Sequence, residues 1–148
     1  MASIEDFGQL LAVDHLVVVS VPRADGTISS SLVKAGVLAH PVTGETVVGM
    51  VIQGGTKKLL YWRERPYANV VIRVGRDWAA VEGRVDLIGP DDPAARVDSD
   101  RLRLLLREVF TAAGGIHDDF DAYDAVMRDE RRTAVFVHPA RIYASPGQ

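Results

Sequence analysis

Runs rich in β-branched and other apolar residues, broken by Gly-, Pro- and Asp-containing turns, fill most of residues 16–88 and return at residue 133, whereas residues 4–11, 100–113 and 119–130 repeat apolar positions every three or four. Period two marks strands with one face inward, and period 3.6 marks helices with one buried stripe. In the short helix at 4–11, Ile4, Phe7, Leu10 and Leu11 share a face and Glu5 and Asp6 sit near the positive end. It is expected to pack against the sheet. Residues 16–21 form a β-branched run closed by Pro22, and Asp25-Gly26 signals a hairpin turn. The return strand is predicted over 28–38, and the turn Pro41-Val42-Thr43-Gly44-Glu45 leads into a strand over 46–52.

A helix is predicted over 59–65, ended by Pro66 because a residue before proline is disfavoured in the α region. Strands follow over 68–74 and 78–88, separated by Gly75-Arg76-Asp77. Val81, Val85 and Leu87 lie on one face by parity, and Gly83 marks a bulge. The Gly89-Pro90-Asp91-Asp92-Pro93 stretch breaks the pattern. Asp98 or Ser99 then caps a helix over 100–113 with Leu102, Leu105, Leu106 and Val109 as its stripe. Gly114-Gly115 stops it, and a second helix over 119–130 places Phe120, Tyr123, Val126 and Met127 together. A last strand spans 133–137, before Pro139 and the tail 141–144. Six or seven strands with helices inserted late predict a small, mainly β (α+β) antiparallel barrel with peripheral helices, in a single domain over 1–148.

At 148 residues and 47% hydrophobic, the chain has material for one ordinary core. A formal net charge of −3 disfavours general nucleic-acid binding, which needs a broadly basic surface. Any basic site is therefore local. With no cysteine, disulfides, thiolate metal sites and cysteine nucleophiles are excluded. No signal peptide is read at the N-terminus, and no apolar run reaches the roughly 18–20 residues of a membrane span. A soluble, cytoplasmic protein is expected.

The residues with most chemical content are Gln53-Gly54-Gly55-Thr56-Lys57-Lys58, between a strand and a helix. Two ammonium groups, a hydroxyl and the N–H groups of a helix start suit a phosphate; the alternative is a solvated turn. No P-loop or dinucleotide fingerprint is present. Ser29 and Ser31 share one side of their strand, open to one ligand, with Ser30 opposite; the alternative is simple tolerance near an edge. No nucleophile elbow surrounds them, which disfavours a serine hydrolase. His15, His40, His117 and His138 are scattered in sequence without a paired-ligand motif, so no metal site is expected. Asp119 reads as a helix cap, Trp78 as a core edge or the rim of a flat ligand, and Tyr61 and Trp62 as anchors of the short helix. Arg63, Arg65 and Arg73 add local positive charge, while Arg128, Arg131 and Arg132 read as solvated cations at a helix end.

The order of these elements resembles the split β-barrel of the pyridoxamine 5′-phosphate oxidase-like proteins, and specifically the flavin/deazaflavin oxidoreductase group B, which uses coenzyme F420. The resemblance runs through Asp25-Gly26, Ser29-Ser30-Ser31, Thr56-Lys57-Lys58, the helix ending at Pro66 and Val81-Glu82-Gly83-Arg84-Val85. It continues through Tyr123, Met127, Glu130-Arg131-Arg132 and the Pro139-Ala140-Arg141-Ile142-Tyr143 tail. It implies a homodimer with the cofactor in an interfacial groove. Thr56, Lys57 and Lys58 would hold the phosphate, the ring would lie against Met50-Val51-Ile52, Ser29 and Ser31 would border the groove and Trp78 would approach from a loop. Tyr61-Trp62 stands where the family often has Asn-Leu, and Lys34 near a position where it often has an aromatic residue. The activity implied is hydride transfer from reduced coenzyme F420 to an electron-poor organic substrate, with no catalytic nucleophile and His117 or Lys34 as candidate proton donors. The alternatives are a non-catalytic F420 or FMN carrier and an FMN-dependent pyridoxamine phosphate oxidase-like enzyme.

Overall fold

Eight strands and four helices make up the computed structural model, which describes residues 2–146. In chain order they are α1 (Ile4–Leu11), β1 (Leu16–Pro22), β2 (Ile28–Lys34), β3 (Gly36–Ala39), β4 (Thr46–Ile52), α2 (Lys57–Glu64), β5 (Tyr67–Val74), β6 (Asp77–Ile88), α3 (Ser99–Ala112), α4 (Phe120–Asp129), β7 (Thr133–Val137) and β8 (Arg141–Ala144). The sheet runs β2-β1-β5-β6-β7-β4-β3, with β8 added on β6, and its pairings are antiparallel. The two ends of that order, β2 and β3, are consecutive in the chain and separated only by Ala35. The sheet therefore curls on itself, the route by which an antiparallel sheet hides its edges.

The strand expected over 28–38 is divided at Ala35, whose N–H still bonds the His15 carbonyl beside β1 at 2.9 Å, whereas Gly36 already pairs with Gly49 of β4. Apolar patterning continues across this break, so period alone does not reveal it. The tail at 141–144 pairs with β6 from Ala79 to Glu82, which with the divided strand raises the number to eight. β6 is the hinge of the barrel. Its first half, up to Arg84, pairs with β5, and from Val85 it pairs with β7. Gly83 stands at the change: a Cβ there would lie 1.7 Å from the His138 carbonyl oxygen, so only glycine fits.

Two cores result. The barrel interior collects Val17, Val19 and Val21 of β1, Val48, Met50 and Ile52 of β4, Val81 and Val85 of β6, and Leu59 and Trp62 of α2. Phe7 and Leu11 of α1 join them, as its amphipathic pattern predicts, and Ser3 and Asp6 form a capping box at its start. The second core lies between α3, α4 and the outer face of β4 and β7, with Val47, Leu105, Leu106, Val109, Tyr123 and Phe136. Since β7 is covered on both sides, all five of its residues are buried. Asp98 caps α3 by accepting from the Arg101 N–H, and Asp119 caps α4 by accepting from Ala122.

Candidate functional site

The turn after β4 is shaped by two glycines with different tasks. Gly55 has φ +80°, the left-handed region that favours glycine. Gly54 donates its N–H to the Glu130 carbonyl at 3.0 Å, and a Cβ on it would lie 2.5 Å from the Arg131 carbonyl oxygen. The turn is thereby pressed against the end of α4. It delivers Thr56 to the N-cap position of α2, whose first residue, Lys57, is two residues earlier than the predicted helix start.

Thr56 is an N-cap without a capping bond, and its Oγ1 is buried with no partner. Leaving a buried hydroxyl unpaired costs on the order of 1–3 kcal/mol. The first N–H groups of any helix also lack intrahelical acceptors. Next to them, neither the Lys57 nor the Lys58 ammonium has an ion-pair or hydrogen-bond partner among the described residues. The arrangement is one of donors without an acceptor, which fits a phosphate. Of the other nearby cations, Arg63 is engaged by Asp92 through two bonds of 2.9 and 2.7 Å, Arg65 by the Pro22 carbonyl and Glu64, and Arg73 by the Gly75 carbonyl.

On β2, Ser29 and Ser31 pair with Val21 and Val19, which face the barrel interior, so these two serines lie on the inner face. Ser30 points the other way and bonds Ser20 Oγ at 2.8 Å. Ser31 Oγ, like Thr56 Oγ1, is buried and unpartnered. The three β4 residues divide: Met50 and Ile52 bury their side chains in the barrel, and Val51 faces outward. Trp78 opens β6 at the sheet's outer face, edge-on to Tyr143 with ring centroids 6.1 Å apart.

Val51 borders a cleft of about 430 Å³ between the β2 end and the α3–α4 pair, with Val33, Phe110 and Met127 as apolar walls and Lys34 and Arg132 as cations. The Lys34 ammonium has no partner among the described residues. Tyr123 also lines the cleft, but its hydroxyl donates to the Leu106 carbonyl at 2.9 Å and burial pushes its pKa up to about 12. His117 stands behind Phe110, ring centroids 6.4 Å apart, and its Nδ1 accepts the Asp119 N–H at 3.0 Å.

The scattered histidines of the sequence do not all stay apart. His40 and His138 come within 5.1 Å, centroid to centroid, around Asp86, and both are buried. Sequence separation hid this because β6, β7 and the turn after β3 meet only in the barrel. His138 Nε2 lies 2.6 Å from Asp86 Oδ2, and Arg84 donates to Oδ1 at 2.6 Å. His40 Nδ1 accepts the N–H groups of Val42 and Thr43, both at 3.2 Å. Its proton therefore sits on Nε2, facing Asp86 Oδ2 at 3.3 Å but misaligned. Although these ligand types lie within 4.8 Å of one another, a metal on His40 Nε2 would require removing that proton while Nδ1 still accepts two bonds. The cluster reads as a clamp on Asp86, with Glu45 Oε2 3.5 Å from the other ring nitrogen of His138. Burial lowers the His40 pKa, helped by His138, and the His138 and Arg84 contacts outweigh burial to hold Asp86 below the usual carboxylate range.

The strand order, the continuous β6 and the helical cover define a split β-barrel. No protein-family model matches the chain, and no curated protein does. Solved structures do. The conserved hypothetical protein Rv2991 of Mycobacterium tuberculosis superposes with a TM-score of 0.68 at 12% identity, over 97% of this chain and 84% of that one. An F420 reductase gives 0.62 at 16% identity, over 93% and 95%. A Clostridium acetobutylicum protein related to general stress protein 26, of the pyridoxinephosphate oxidase family, gives 0.64 at 12% identity, over 96% and 86%. At such identities the likeness is one of fold. No helix among the described residues is long and apolar enough to cross a membrane.

Proposed function

We propose that this chain binds a phosphorylated flavin-type cofactor and serves as an oxidoreductase. The observation that carries the reading is the buried, unpartnered Thr56 hydroxyl at the start of α2, beside the free ammonium groups of Lys57 and Lys58. Those three residues hold the phosphate, with Lys58 as principal cation. The Val51 face of β4 carries the ring, the backbone of Met50 and Ile52 supports it, and Ser29, Ser31 and Trp78 border the groove. A flavin or deazaflavin supplies hydride chemistry; the protein orients it, excludes water and presents a substrate in the cleft. Lys34 is the proton donor best situated, since it lines that cleft.

Coenzyme F420 and FMN share the phosphate that this site recognises, and the unpaired cations suit the longer anionic tail of F420. Hydride transfer from reduced F420 to an electron-poor organic substrate is the version of the reading that the sequence resemblance favours. Binding of F420 or FMN without turnover has the more direct physical support, because the unpaired groups are binding groups. Fluorescence titration with both cofactors tests the reading. Micromolar binding of either one, weakened in Lys58→Ala, supports it, and no binding of either overturns it. A screen of quinones, nitroaromatics, enones and tetrapyrroles with the reduced cofactor then separates an enzyme from a carrier.

The protein acts as a cytoplasmic homodimer in this reading. Leu16, Val18, Ile28 and Leu32 are exposed, and the β1–β2 register sets Val18 beside Leu32 on one outer face. Such a patch on a sheet is suited to a second copy. Sedimentation of the wild type and of Leu32→Glu tests it: a dimer that becomes a monomer is the expected result, and a wild-type monomer overturns it.

A further inference from the structure

Beside the cleft described above lies a second one of about 340 Å³, between the first turns of α3, the end of α4 and Pro90. The two share Met127 and Arg132. Each is of the size of a small-molecule site, roughly 300–1,000 Å³. Leu102, Leu106 and Met127 give the second cleft an apolar floor. Around it stand four arginines, Arg103, Arg128, Arg131 and Arg132, against two aspartates, Asp100 and Asp124. Asp124 is already neutralised by Arg107 from outside the cleft, at 2.9 Å, as well as by Arg103 at 3.3 Å.

We propose that the two clefts form one bent site for an elongated apolar substrate ending in a carboxylate, with the reacting part near Val51 and the carboxylate among the arginines. The inference rests on the cofactor reading for what happens at the Val51 end. Arg128 carries the anion recognition. Its guanidinium has no partner among the described residues, and its planar fork matches a carboxylate. Arg131 and Arg132 are held by Asp91 and by Glu130. Those acids lie at the surface, where ion pairs contribute only about 0–1 kcal/mol, so a ligand carboxylate displaces them at little cost. Arg131 has φ +50° and its carbonyl lies against Gly54, which sets the arginine-bearing turn directly beside the phosphate turn. A neutral substrate leaves the Arg128 end of the site without use.

Methionine methyl NMR tests this on the full chain. Of its three methionines, Met50 is enclosed in the barrel and Met127 lines both clefts. Titration with decanoate below its micelle concentration is expected to move the Met127 methyl signal to saturation and leave Met50 in place. Decan-1-ol should bind at least about fivefold more weakly, since it lacks the charged hydrogen bonds. Arg128→Ala should weaken decanoate by about threefold to tenfold without changing decan-1-ol, and Arg128→Lys should recover part of the loss. A purely structural Arg128 would move both ligands alike. An unmoved Met127 signal, equal affinity for acid and alcohol, or unchanged decanoate binding in Arg128→Ala each overturns the proposal. Competition between decanoate and the cofactor also overturns it, by assigning the arginines to the cofactor's own tail. Titration of the same samples with FMN and F420 reports on the cofactor reading separately.

Discussion

Two polar clusters in this molecule differ in character. Around Asp86, most groups face one another within the chain: His138 and Arg84 bond the carboxylate, while the His40 ring closes a backbone turn and leaves its Nε2 3.3 Å from Asp86 without a hydrogen bond. In the turn from Gly54 to Lys58, one buried hydroxyl and two ammonium groups have no hydrogen-bond or ion-pair partner among the described residues. The Asp86 cluster has the residue types of a metal site and the hydrogen bonding of a structural clamp. The turn has ordinary residue types, and its unused donors are what the proposed phosphate reading rests on. Donor and acceptor balance, rather than residue identity, separates a site from a support.

The largest effect expected from testing this contrast is on the clamp. His138→Ala leaves the Asp86 carboxylate short of a partner and opens a cavity, and should cost about 2–3 kcal/mol in urea unfolding with cofactor affinity unchanged. A loss of cofactor binding by a folded His138→Ala protein would erase the distinction. Lys58→Ala should do the reverse. Cofactor affinity is expected to fall about tenfold, equivalent to about 1.4 kcal/mol, while stability stays within about 0.5 kcal/mol of wild type.

Thr56→Val sharpens the contrast further, because it removes an unpaired hydroxyl at nearly constant volume. The free protein should become more stable by up to about 1 kcal/mol while cofactor binding weakens. If calorimetry finds the free protein destabilised, the hydroxyl has a partner after all. The smallest effect is on pH dependence. The folded protein holds His40 neutral below its usual pKa, so the unfolded chain binds the proton more readily. Stability should therefore be full above about pH 6.5 and decline as the pH falls through the lowered folded value. His40→Asn, which keeps a side-chain acceptor for the turn, should flatten that decline; an unchanged slope would assign it to other groups.

Much of the barrel was legible in the sequence because its signals are local. β-Branched runs between turn signals located the strands, Asp25-Gly26 and Pro66 ended elements where expected, and parity placed Val81, Val85 and Leu87 on the face that packs in the barrel. The division at Ala35 was not legible, since a strand crossing from one sheet half to another keeps its apolar period. Parity also separated Ser29 and Ser31 from Ser30. The Met50-Val51-Ile52 run needed a further fact. In a strand covered on both faces all three residues are apolar, and only the packing shows that Val51 borders the cleft.

Sequence by itself determined most of the strands, the four helices, the Asp98 and Asp119 caps and the glycine-rich turn, because these depend on interactions between residues close along the chain. The tertiary structure decided which polar groups found partners. His40 and His138 are 98 positions apart and meet through the barrel, Gly54 is pressed on Arg131 by packing, and the arginines after α4 face an apolar cleft rather than water alone. Hydrogen bonding is satisfied or left open by whatever the fold brings near, and no local pattern contains that information.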